Sequence, residues 1–498
     1  MQVTFADGSS EDYEDTAFSR GAQGGVYRSR GGQSIVKLFN QITDPAQLDA
    51  RREQVDQIIG QYNVVGNDPL WAELFSWPDR RVDAPSLGVR MRLVTGLIPL
   101  THYNFPTSFK KLSREQQGWW IGRVAAAIKL ARAVRRLADA GLCHSDLSEK
   151  NVMVDPLLGL ATVIDCDSLV VPGPRGLKAE VLGTPGYMAP ELVSGDEISP
   201  TVESDRHSLA VLLYQWLLFR HPLDGRLVHD PDQAKDDALR YGKRALYCEH
   251  PFDRSNRPAN MSKMQLTAGT IENEGRRLGE TRIVSALTPL LAQLFHEAFV
   301  TQLHNPAGRP LPARWEHALI EMYDRIIPCS NPRCMLKYFA ASDVEELRCP
   351  LCFAWAEIPG KLPLLRLKVP VPDGNGGIEF EDEDRRFPHF IVGWRERPIF
   401  GWHAYRSLKA VPDSTQPPAD SDPVAVVRYD DSAGMWLLEN RRLPEMSVDA
   451  GSDPDVPQWQ PVPSGSYIEL RDDLRLLLAS QDGRCIEVEM RQVYKTDE

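Results

Sequence analysis

Hydrophobic positions in the first 96 residues alternate with polar ones in short runs, which Gly-rich turns such as "SRGAQGGVYRSRGG" separate. Alternation with a period of two is typical of β-strands that bury one face. The exception is residues 44–62, "DPAQLDARREQVDQIIGQY", where apolar residues recur at helical spacing. The pattern therefore predicts a mostly β lobe that contains one helix.

Helical segments dominate the chain from residue 97 to residue 325. The longest helix is predicted over 112–141, because Ser113 and Gln116 form a capping box at its start and Gly141 marks its end. Further helices are predicted over 204–219, 287–300 and 312–327.

Alternation returns after residue 360, where short apolar runs lie between turn residues. Strands are predicted within 362–372, 389–396, 424–430, 434–440, 466–480 and 485–490. Two polar stretches, 411–423 and 447–458, predict loops. His389 and His403 lie singly near aromatic residues, and we interpret them as packing or hydrogen-bonding groups. The pattern predicts a β-rich interaction domain over 360–498.

The size and charge of the chain limit the classes of protein it can represent. Its 498 residues suggest roughly three domains at about 150 residues each. A net charge of −12 argues against a protein whose main task is to hold nucleic acid. No apolar stretch approaches the length of a membrane span, and the N-terminus lacks a basic region followed by an apolar run. We expect a cytoplasmic protein with neither nucleic-acid nor membrane partners.

A Gly-rich hairpin and a lysine on the next strand form the first group of candidate functional residues. Gly21, Gly24 and Gly25 precede Val26, and Lys37 follows in "SIVKLF". Glycines let backbone amides approach phosphate oxygens, and the lysine can neutralise two phosphates. Such a hairpin is more often only a hairpin, so these residues alone do not establish a nucleotide site.

The stretch "HSDLSEKN" and the strand end "VIDCD" contain the second group. Asp146 and Asn151 are close enough in a tight loop to face one cleft, and Asp165 ends a short apolar strand. Hard oxygen ligands of this kind suit Mg²⁺ shared with phosphates. The alternative is that the first motif satisfies a turn and the second caps a strand.

In this order, the motifs resemble the protein kinase fold. "SRGAQGGVY" is similar to its glycine loop, "IVKLF" to its lysine strand, "HSDLSEKN" to its catalytic loop, "DCD" to its metal-binding triplet and "GTPGYMAPE" to the end of its activation segment. The resemblance continues through Asp205, which would brace the catalytic loop, and through a pair between Arg309 and Glu191. It implies a bilobal kinase domain over 1–325, with an N-lobe over 1–96 and a C-lobe over 97–325.

The resemblance also implies roles for the matching residues. Asp146 would orient the acceptor hydroxyl and take its proton, and Lys37 would contact phosphates of ATP. Glu53 is expected to hold Lys37, with Asp49 and Asp56 as alternatives at helical spacing. Asn151 and Asp165 would bind Mg²⁺ or Mn²⁺. The implied nucleotide-binding residues are Gly21, Gly24, Gly25, Val26, Lys37, Met91, Leu93, Val94, Asn151 and Asp165.

Several positions depart from the kinase pattern. Ser145 replaces the usual arginine before the catalytic aspartate, and Ser148 stands where a phosphate-contacting lysine is common. Lys150, two residues further, is the candidate to take the place of that lysine. Cys166 and Asp167 replace the Phe and Gly of the D-F-G triplet. Two interpretations follow: an active serine/threonine kinase, or a nucleotide-binding pseudokinase that docks partners through its other domains. Retention of all four central residues favours the enzyme.

Four cysteines in 24 residues predict a metal site. Cys329 and Cys334 form one pair and Cys349 and Cys352 a second, which supplies the four thiolates of a closed tetrahedral Zn²⁺ centre over 326–358. A rubredoxin-type iron is the rival metal. With no open coordination position, the role is structural, since the segment is too short to build a core.

The order of the three parts gives a multidomain α+β chain: kinase domain, four-cysteine knuckle and C-terminal β-sandwich. This order resembles the bacterial kinases of tellurite-resistance-associated phosphorylation triads, as do the strings "FSWPDRR" and "ALRYGKRALYCEHPFDRSNRP". The resemblance implies a von Willebrand A domain protein and a PP2C-type phosphatase as partners. Residues 434–480 faintly resemble forkhead-associated sandwiches but lack a clear phosphate pocket, so phosphothreonine binding is not transferred.

Overall fold

The computed structural model describes most of the chain. The described residues are 1–21, 23–66, 68–104, 106–172, 182–197, 199–258, 285–341, 347–372, 377–404, 423–451, 457–479 and 483–493. The chain divides into two compact units, each considered separately. Unit 1 comprises Met1–Gln117, Ala126–Met261 and Leu294–Glu316, and unit 2 comprises Gly118–Ala125, Ser262–Gln293 and His317–Glu498.

Unit 1 begins with an antiparallel sheet and the helix α1, as the alternating pattern predicts. The strands are β1 (Gln2–Phe5), β2 (Ser10–Asp12), β3 (Ser19–Gly21), β4 (Gly24–Arg28), β5 (Ser34–Phe39), β6 (Pro78–Ala84) and β7 (Gly88–Arg92), and the helices are α1 (Pro45–Ile59) and α2 (Pro69–Leu74). They pair in the order β2-β1-β6-β7-β5-β4-β3. Asp44 caps α1 by accepting from the Ala46 amide at 2.9 Å, and Pro45 pre-sets its first turn.

Strand β5 faces a different hydrophobic cluster with each of its two sets of side chains. Val36 and Leu38 pack in one cluster, whereas Ile35 and Phe39 pack with α1 in the other. Because side chains alternate along a strand, Lys37 lies on the α1 side. Two glycines allow the neighbouring strands to approach β5 closely: a Cβ on Gly24 would collide with the Leu38 carbonyl, and one on Gly88 would collide with the Lys37 carbonyl.

The middle of the chain is mostly helical. Its elements are β8 (Ile98–Pro99), α3 (Thr101–Asn104), α4 (Pro106–Phe109), α5 (Arg114–Gln117), α6 (Trp120–Asp139), β9 (Val152–Asp155), β10 (Leu160–Val163), α7 (Pro190–Val193), α8 (Val202–Leu218), α9 (Gln233–Arg240), α10 (Pro289–His296) and α11 (Pro312–Asp324). Among the described residues, no helix is both long and apolar enough to cross a membrane.

The helix predicted over 112–141 is in fact two helices, α5 and α6. The capping box at its start is present, since the Ser113 amide donates to Gln116 Oε1 at 2.9 Å and the Gln116 amide donates to Ser113 Oγ at 3.2 Å. The helix breaks at Gly118, which has a left-handed φ of 65°. The Trp120 amide donates to the distant Leu336 carbonyl instead of continuing the helical ladder.

The helix predicted over 312–327 also ends earlier than expected. Helix α11 stops at Asp324, and β11 (Ile326–Pro328) pairs with β12 (Tyr338–Ala340). Ile326 and Ile327 are buried β-branched residues, which favour a strand once a partner is available.

After residue 360, the described part of unit 2 contains two antiparallel sheets that share one core. The strands are β13 (Leu362–Pro372), β14 (Ile378–Glu381), β15 (Phe390–Val392), β16 (Arg397–Ile399), β17 (Ala425–Asp430), β18 (Met435–Asn440), β19 (Ser447–Asp449), β20 (Trp459–Pro461), β21 (Tyr467–Glu469), β22 (Arg475–Leu477) and β23 (Cys485–Arg491), with the short helix α12 (Gly401–Ala404). One sheet has the order β14-β13-β23-β22-β19-β20, with β15 also on β13, and the other has β16-β17-β18-β21. Residues of both sheets pack in one cluster, as in a β-sandwich.

The two predicted loops of this unit have different outcomes. The loop over 447–458 begins with strand β19, so its first three residues are a correction. The loop over 411–423 lies, apart from Pro423, outside the described residues. The forkhead-associated resemblance stays a prediction.

Candidate active site

The amine of Lys37 lies at the centre of a buried polar cluster in unit 1. Its Nζ donates to Asp165 Oδ1 at 2.5 Å and lies 3.1 Å from the Asp167 carboxylate. It also donates to Gln23 Oε1, in the predicted glycine loop, at 3.1 Å. Lys37 is thus bound to both acids of the "DCD" triplet and to the glycine loop.

The expected pairing of Lys37 with Glu53 is absent from the described contacts. Glu53 is exposed and accepts from Gln57 at 3.4 Å, and the alternatives Asp49 and Asp56 are exposed as well. The buried face of α1 instead consists of Arg51, Val55 and Ile58. Helical spacing explains this correction, because residues 51, 55 and 58 share a face from which residue 53 is rotated. The apolar stripe of the helix already contained this signal.

Arg51 faces the triplet where a carboxylate was expected. Its Nη2 lies 3.4 Å from Asp167 Oδ2 and 3.3 Å from Ser168 Oγ. Its guanidinium lies over the Phe39 ring, 4.5 Å from the centroid. The side chain of Asp167 is fully buried, whereas that of Asp165 is 33% exposed. Two cations therefore flank the third residue of the triplet.

The charges in this cluster shift its pKa values in opposite directions. Burial alone would raise the pKa of Asp167, but the charges of Lys37 and Arg51 hold it below its usual value. Burial and the negative charge of Asp167 raise the pKa of Asp165. Burial would lower the pKa of Lys37, and the two carboxylates raise it above its usual value. Of the two acids, Asp167 is therefore the one whose charged form the surrounding cations stabilise more strongly.

The loop that carries Asp146 is held from both sides. The His144 amide donates to Asp205 Oδ2 at 2.6 Å, and His144 Nε2 lies 2.9 Å from the Ile164 carbonyl. The Ile164 amide in turn donates to the Asn151 carbonyl at 2.9 Å. Since Ile164 adjoins Asp165, these bonds tie the loop to the residue that contacts Lys37.

Asp146 has a hydrogen-bond donor on each carboxylate oxygen. Thr184 Oγ1 donates to Asp146 Oδ1 at 2.8 Å, and Asn151 Nδ2 donates to Asp146 Oδ2 at 3.1 Å. Ser145, immediately before it, adopts a left-handed φ of 65°. The two bonds fix the carboxylate with one oxygen already facing an aliphatic hydroxyl.

Two oxygen atoms near this loop suit a hard cation. Asn151 donates from Nδ2 to Asp146, so the Oδ1 atom of Asn151 points away from Asp146. Asp165 accepts from Lys37 through its Oδ1 atom. The bonds described for Asn151 use its Nδ2, and Lys37 binds Asp165 through Oδ1, so Asn151 Oδ1 and Asp165 Oδ2 remain for a cation. Carboxylate and amide oxygens are suitable ligands for Mg²⁺ or Mn²⁺, so the residues present fit the metal expected of them.

The other predicted nucleotide residues lie along the same sheet. Gly21 ends β3, Gly24, Gly25 and Val26 lie in β4, and Val26 pairs with Lys37. Met91 is buried in the cluster against α1. Leu93 and Val94 follow β7 and are half-buried, and the Leu93 amide donates to the Gln33 carbonyl at 3.0 Å.

Two polar residues of the loop differ sharply in exposure. Lys150 is exposed, whereas Ser148 is fully buried and its hydroxyl has no hydrogen-bond partner among the described residues. Further along, both guanidinium ends of Arg309 donate to Glu191, at 2.8 and 2.6 Å. This buried pair has the bidentate geometry expected of arginine and carboxylate.

The four predicted cysteines converge in unit 2. Their Sγ atoms lie within 4.8 Å of one another, with 3.5 Å between Cys329 and Cys352 and 3.7 Å between Cys334 and Cys349. Tetrahedral coordination with metal–sulfur bonds of about 2.3 Å requires sulfurs about 3.8 Å apart. The four thiols therefore fit a single metal ion.

Comparisons with known proteins relate part of the chain to protein kinases. Residues 109–268 match the family model described as "Protein kinase domain". The serine/threonine-protein kinase PkaB of Streptomyces coelicolor is 28% identical over 225 residues, which is 41% of this chain and 48% of that protein. A serine/threonine-protein kinase of Myxococcus xanthus is 28% identical over 229 residues, 43% of this chain and 34% of its own length.

A shorter similarity reaches beyond bacteria. The atypical protein kinase C of Drosophila melanogaster is 32% identical over 116 residues, 23% of this chain and 18% of that protein. The chain thus spans about half or less of the length of these three relatives. The family match contains Asp146, Asn151 and Asp165, whereas Lys37 and the four clustered cysteines lie outside its range.

Proposed function

We propose that this chain, which contains a protein kinase domain related to bacterial serine/threonine kinases, transfers the γ-phosphate of ATP to serine or threonine of partner proteins. One observation carries the proposal: Asp146 accepts from an aliphatic hydroxyl, that of Thr184, at 2.8 Å while Asn151 holds its other oxygen. A carboxylate so arranged suits an acceptor hydroxyl whose proton it takes.

The other residues would act mainly by positioning. Lys37 neutralises α- and β-phosphate charge, and the Gly-rich hairpin over Gly21, Gly24 and Gly25 covers the phosphates. Asn151 and Asp165 would hold Mg²⁺ or Mn²⁺, which neutralises charge on the phosphates when bound. Asp205 supports the loop of Asp146 through the His144 amide.

Transfer of radiolabelled phosphate with Mg²⁺ tests the activity. We expect Asp146→Asn to lower the rate roughly 10²- to 10⁴-fold, the usual contribution of a general base. Asp139→Asn, at an exposed carboxylate on the end of α6, is the matched control and should transfer normally. Nucleotide binding without transfer under any partner condition would instead support the pseudokinase scaffold.

We further propose that the cluster of Cys329, Cys334, Cys349 and Cys352 holds one structural Zn²⁺. The four thiolates fill the tetrahedron and leave no open position, so the metal would join the segments around β11 and β12 rather than react. Elemental analysis should give close to one zinc per chain and none in Cys334→Ser/Cys349→Ser. Iron in the purified protein would overturn the choice of metal.

For partners, we propose a von Willebrand A domain protein as acceptor and a PP2C-type phosphatase that reverses the transfer. This rests on the sequence resemblance of residues 75–81 and 238–258 to triad kinases. The same transfer assay, with each companion as acceptor, tests it. Equal labelling of unrelated proteins would argue against it.

A further inference from the structure

The described acids that contact Lys37 belong to the "DCD" triplet and not to helix α1. We propose that Asp167 positions Lys37, and that Arg51 of α1 holds Asp167 in turn, so that a helix cation and a triplet acid replace a helix acid and a triplet glycine. This inference rests on the proposed kinase function, because it assigns a positioning role in that site.

Contacts on Asp167 support its role as the shared anion. Its side chain is fully buried, with Lys37 at 3.1 Å and Arg51 at 3.4 Å. Ser168 Oγ donates to its Oδ2 at 3.3 Å. A buried carboxylate is tolerated only when cations and donors compensate for its lost hydration, and all three are present here.

Arg51 lies on the buried face of α1. It is buried, lies over the Phe39 ring and donates from Nη1 to Gln54 Oε1 at 2.7 Å. Gln54 Nε2 donates to the Leu169 carbonyl at 2.9 Å. The helix is therefore bonded to three consecutive residues, 167 to 169, rather than to Lys37 itself.

Charge balance explains why a second acid beside Lys37 is needed. Lys37 and Arg51 carry two positive charges, and Asp165 and Asp167 carry two negative ones. The described acid partners of Lys37 are Asp165 and Asp167. If Asp165 turns toward a metal ion, Asp167 is the described acid that stays in contact with Lys37. Asp167 therefore leaves Asp165 free for the metal.

The chemical reactivity of the Lys37 amine tests this directly, without any need for catalysis. The rate at which acetic anhydride acylates Lys37 should rise in Asp167→Asn, because the variant lacks one of the two ion pairs that hold the buried amine. Glu53→Gln should not change it. Lys129, a buried lysine of the same unit, is the internal control, since its reactivity rises only if the unit unfolds.

Kinetics and a charge exchange test the consequence for activity. Asp167→Asn should lower kcat/KM for ATP about 10- to 100-fold, the scale of an ångström-level misplacement. Arg51→Glu should be worse, because it buries a third acid in the cluster. The double variant Arg51→Glu/Asp167→Gly should regain at least about tenfold over Arg51→Glu, since a helix acid then faces Lys37 without Asp167 opposing it.

The outcomes separate the two proposals. Unchanged Lys37 acylation in Asp167→Asn, or a change in Glu53→Gln, overturns the inference whether or not the protein is active. If kcat/KM for ATP is no higher in Arg51→Glu/Asp167→Gly than in Arg51→Glu, the pairing of Arg51 with Asp167 is overturned. Absence of transfer by the wild-type chain, together with the expected acylation, overturns the proposed function and leaves the assignment of Asp167 intact.

Discussion

Two fully buried aspartates, one in each unit, organise clusters of similar composition in different ways. Asp167 in unit 1 is shared by Lys37 and Arg51. Asp324 in unit 2 accepts from His389 Nε2 at 2.6 Å, and from His403 Nε2 and Arg397 Nη2 at 2.9 Å. The cations lower the pKa of Asp167 and the histidine contacts lower that of Asp324, in each case against the effect of burial.

The difference lies in what each cluster leaves accessible and replaceable. Lys37 has a second acid, Asp165, whose side chain is 33% exposed. Arg397 is fully buried, and two of its nitrogens have no partner in the part of the chain that the structure describes. The first cluster therefore has a partly exposed acid that a ligand can reach, whereas the Arg397–Asp324 pair of the second is enclosed within its unit. Burial and pKa alone would not distinguish these uses.

The largest expected effect is on Asp324. Asp324→Asn removes the negative charge that a buried set of donors shares, so unit 2 should lose about 3–5 kcal/mol of stability. Urea dependence of hydrogen exchange in peptides from 362–404 measures this. Asp431→Asn, which breaks an exposed pair with Arg395, is the matched control and should leave exchange unchanged. Equal hydrogen exchange in Asp324→Asn and Asp431→Asn would contradict the structural role of Asp324.

A smaller loss of stability is expected for the corresponding change in unit 1. Asp167→Asn should cost about 1–3 kcal/mol, because Lys37 keeps Asp165 and Arg51 keeps Gln54 and Ser168. Exchange in peptides that cover β5 and α1 gives the measurement. A loss as large as that of Asp324→Asn would end the distinction between the two clusters.

The smallest effect concerns pH. Burial lowers the pKa of His403, so between pH 7 and pH 6 the unfolded chain takes up a proton that the folded chain excludes, and stability falls. His403→Gln keeps a donor toward Asp324 and should reduce this slope, by at most about 1.4 kcal/mol per pH unit. The contribution of Asp324 persists until the pH falls below about 4. An unchanged slope would mean that His403 does not titrate on unfolding.

Much of the fold followed from periodicity. Alternation predicted the sheets of both units, and helical spacing predicted α1 and α8. The errors arose where distant partners decide: the Trp120 amide leaves the helical ladder for Leu336, and Ile326 joins a strand supplied by residues 338–340. Local propensity contains no information about such partners.

The order of the motifs predicted which residues form the candidate site, but it did not predict which charged side chains pair there. The structure brings Lys37 against Asp165 and Asp146 against Asn151, four residues that the motifs singled out. In the sequence, Asp167 marks a departure from the kinase triplet, and no motif singles out Arg51. The apolar stripe of α1 would have placed residue 51, not residue 53, on the inner face.

Arg51 and Asp167 are separated by 116 positions in the chain, yet each is buried against the charge of the other. A lineage that changes only residue 51 to an acid buries three carboxylates, and one that changes only residue 167 leaves a buried guanidinium without its anion. Among descendants, the two positions should therefore vary together, base with acid or acid with glycine. A change at only one of them would mark a lineage in which Lys37 has lost its task.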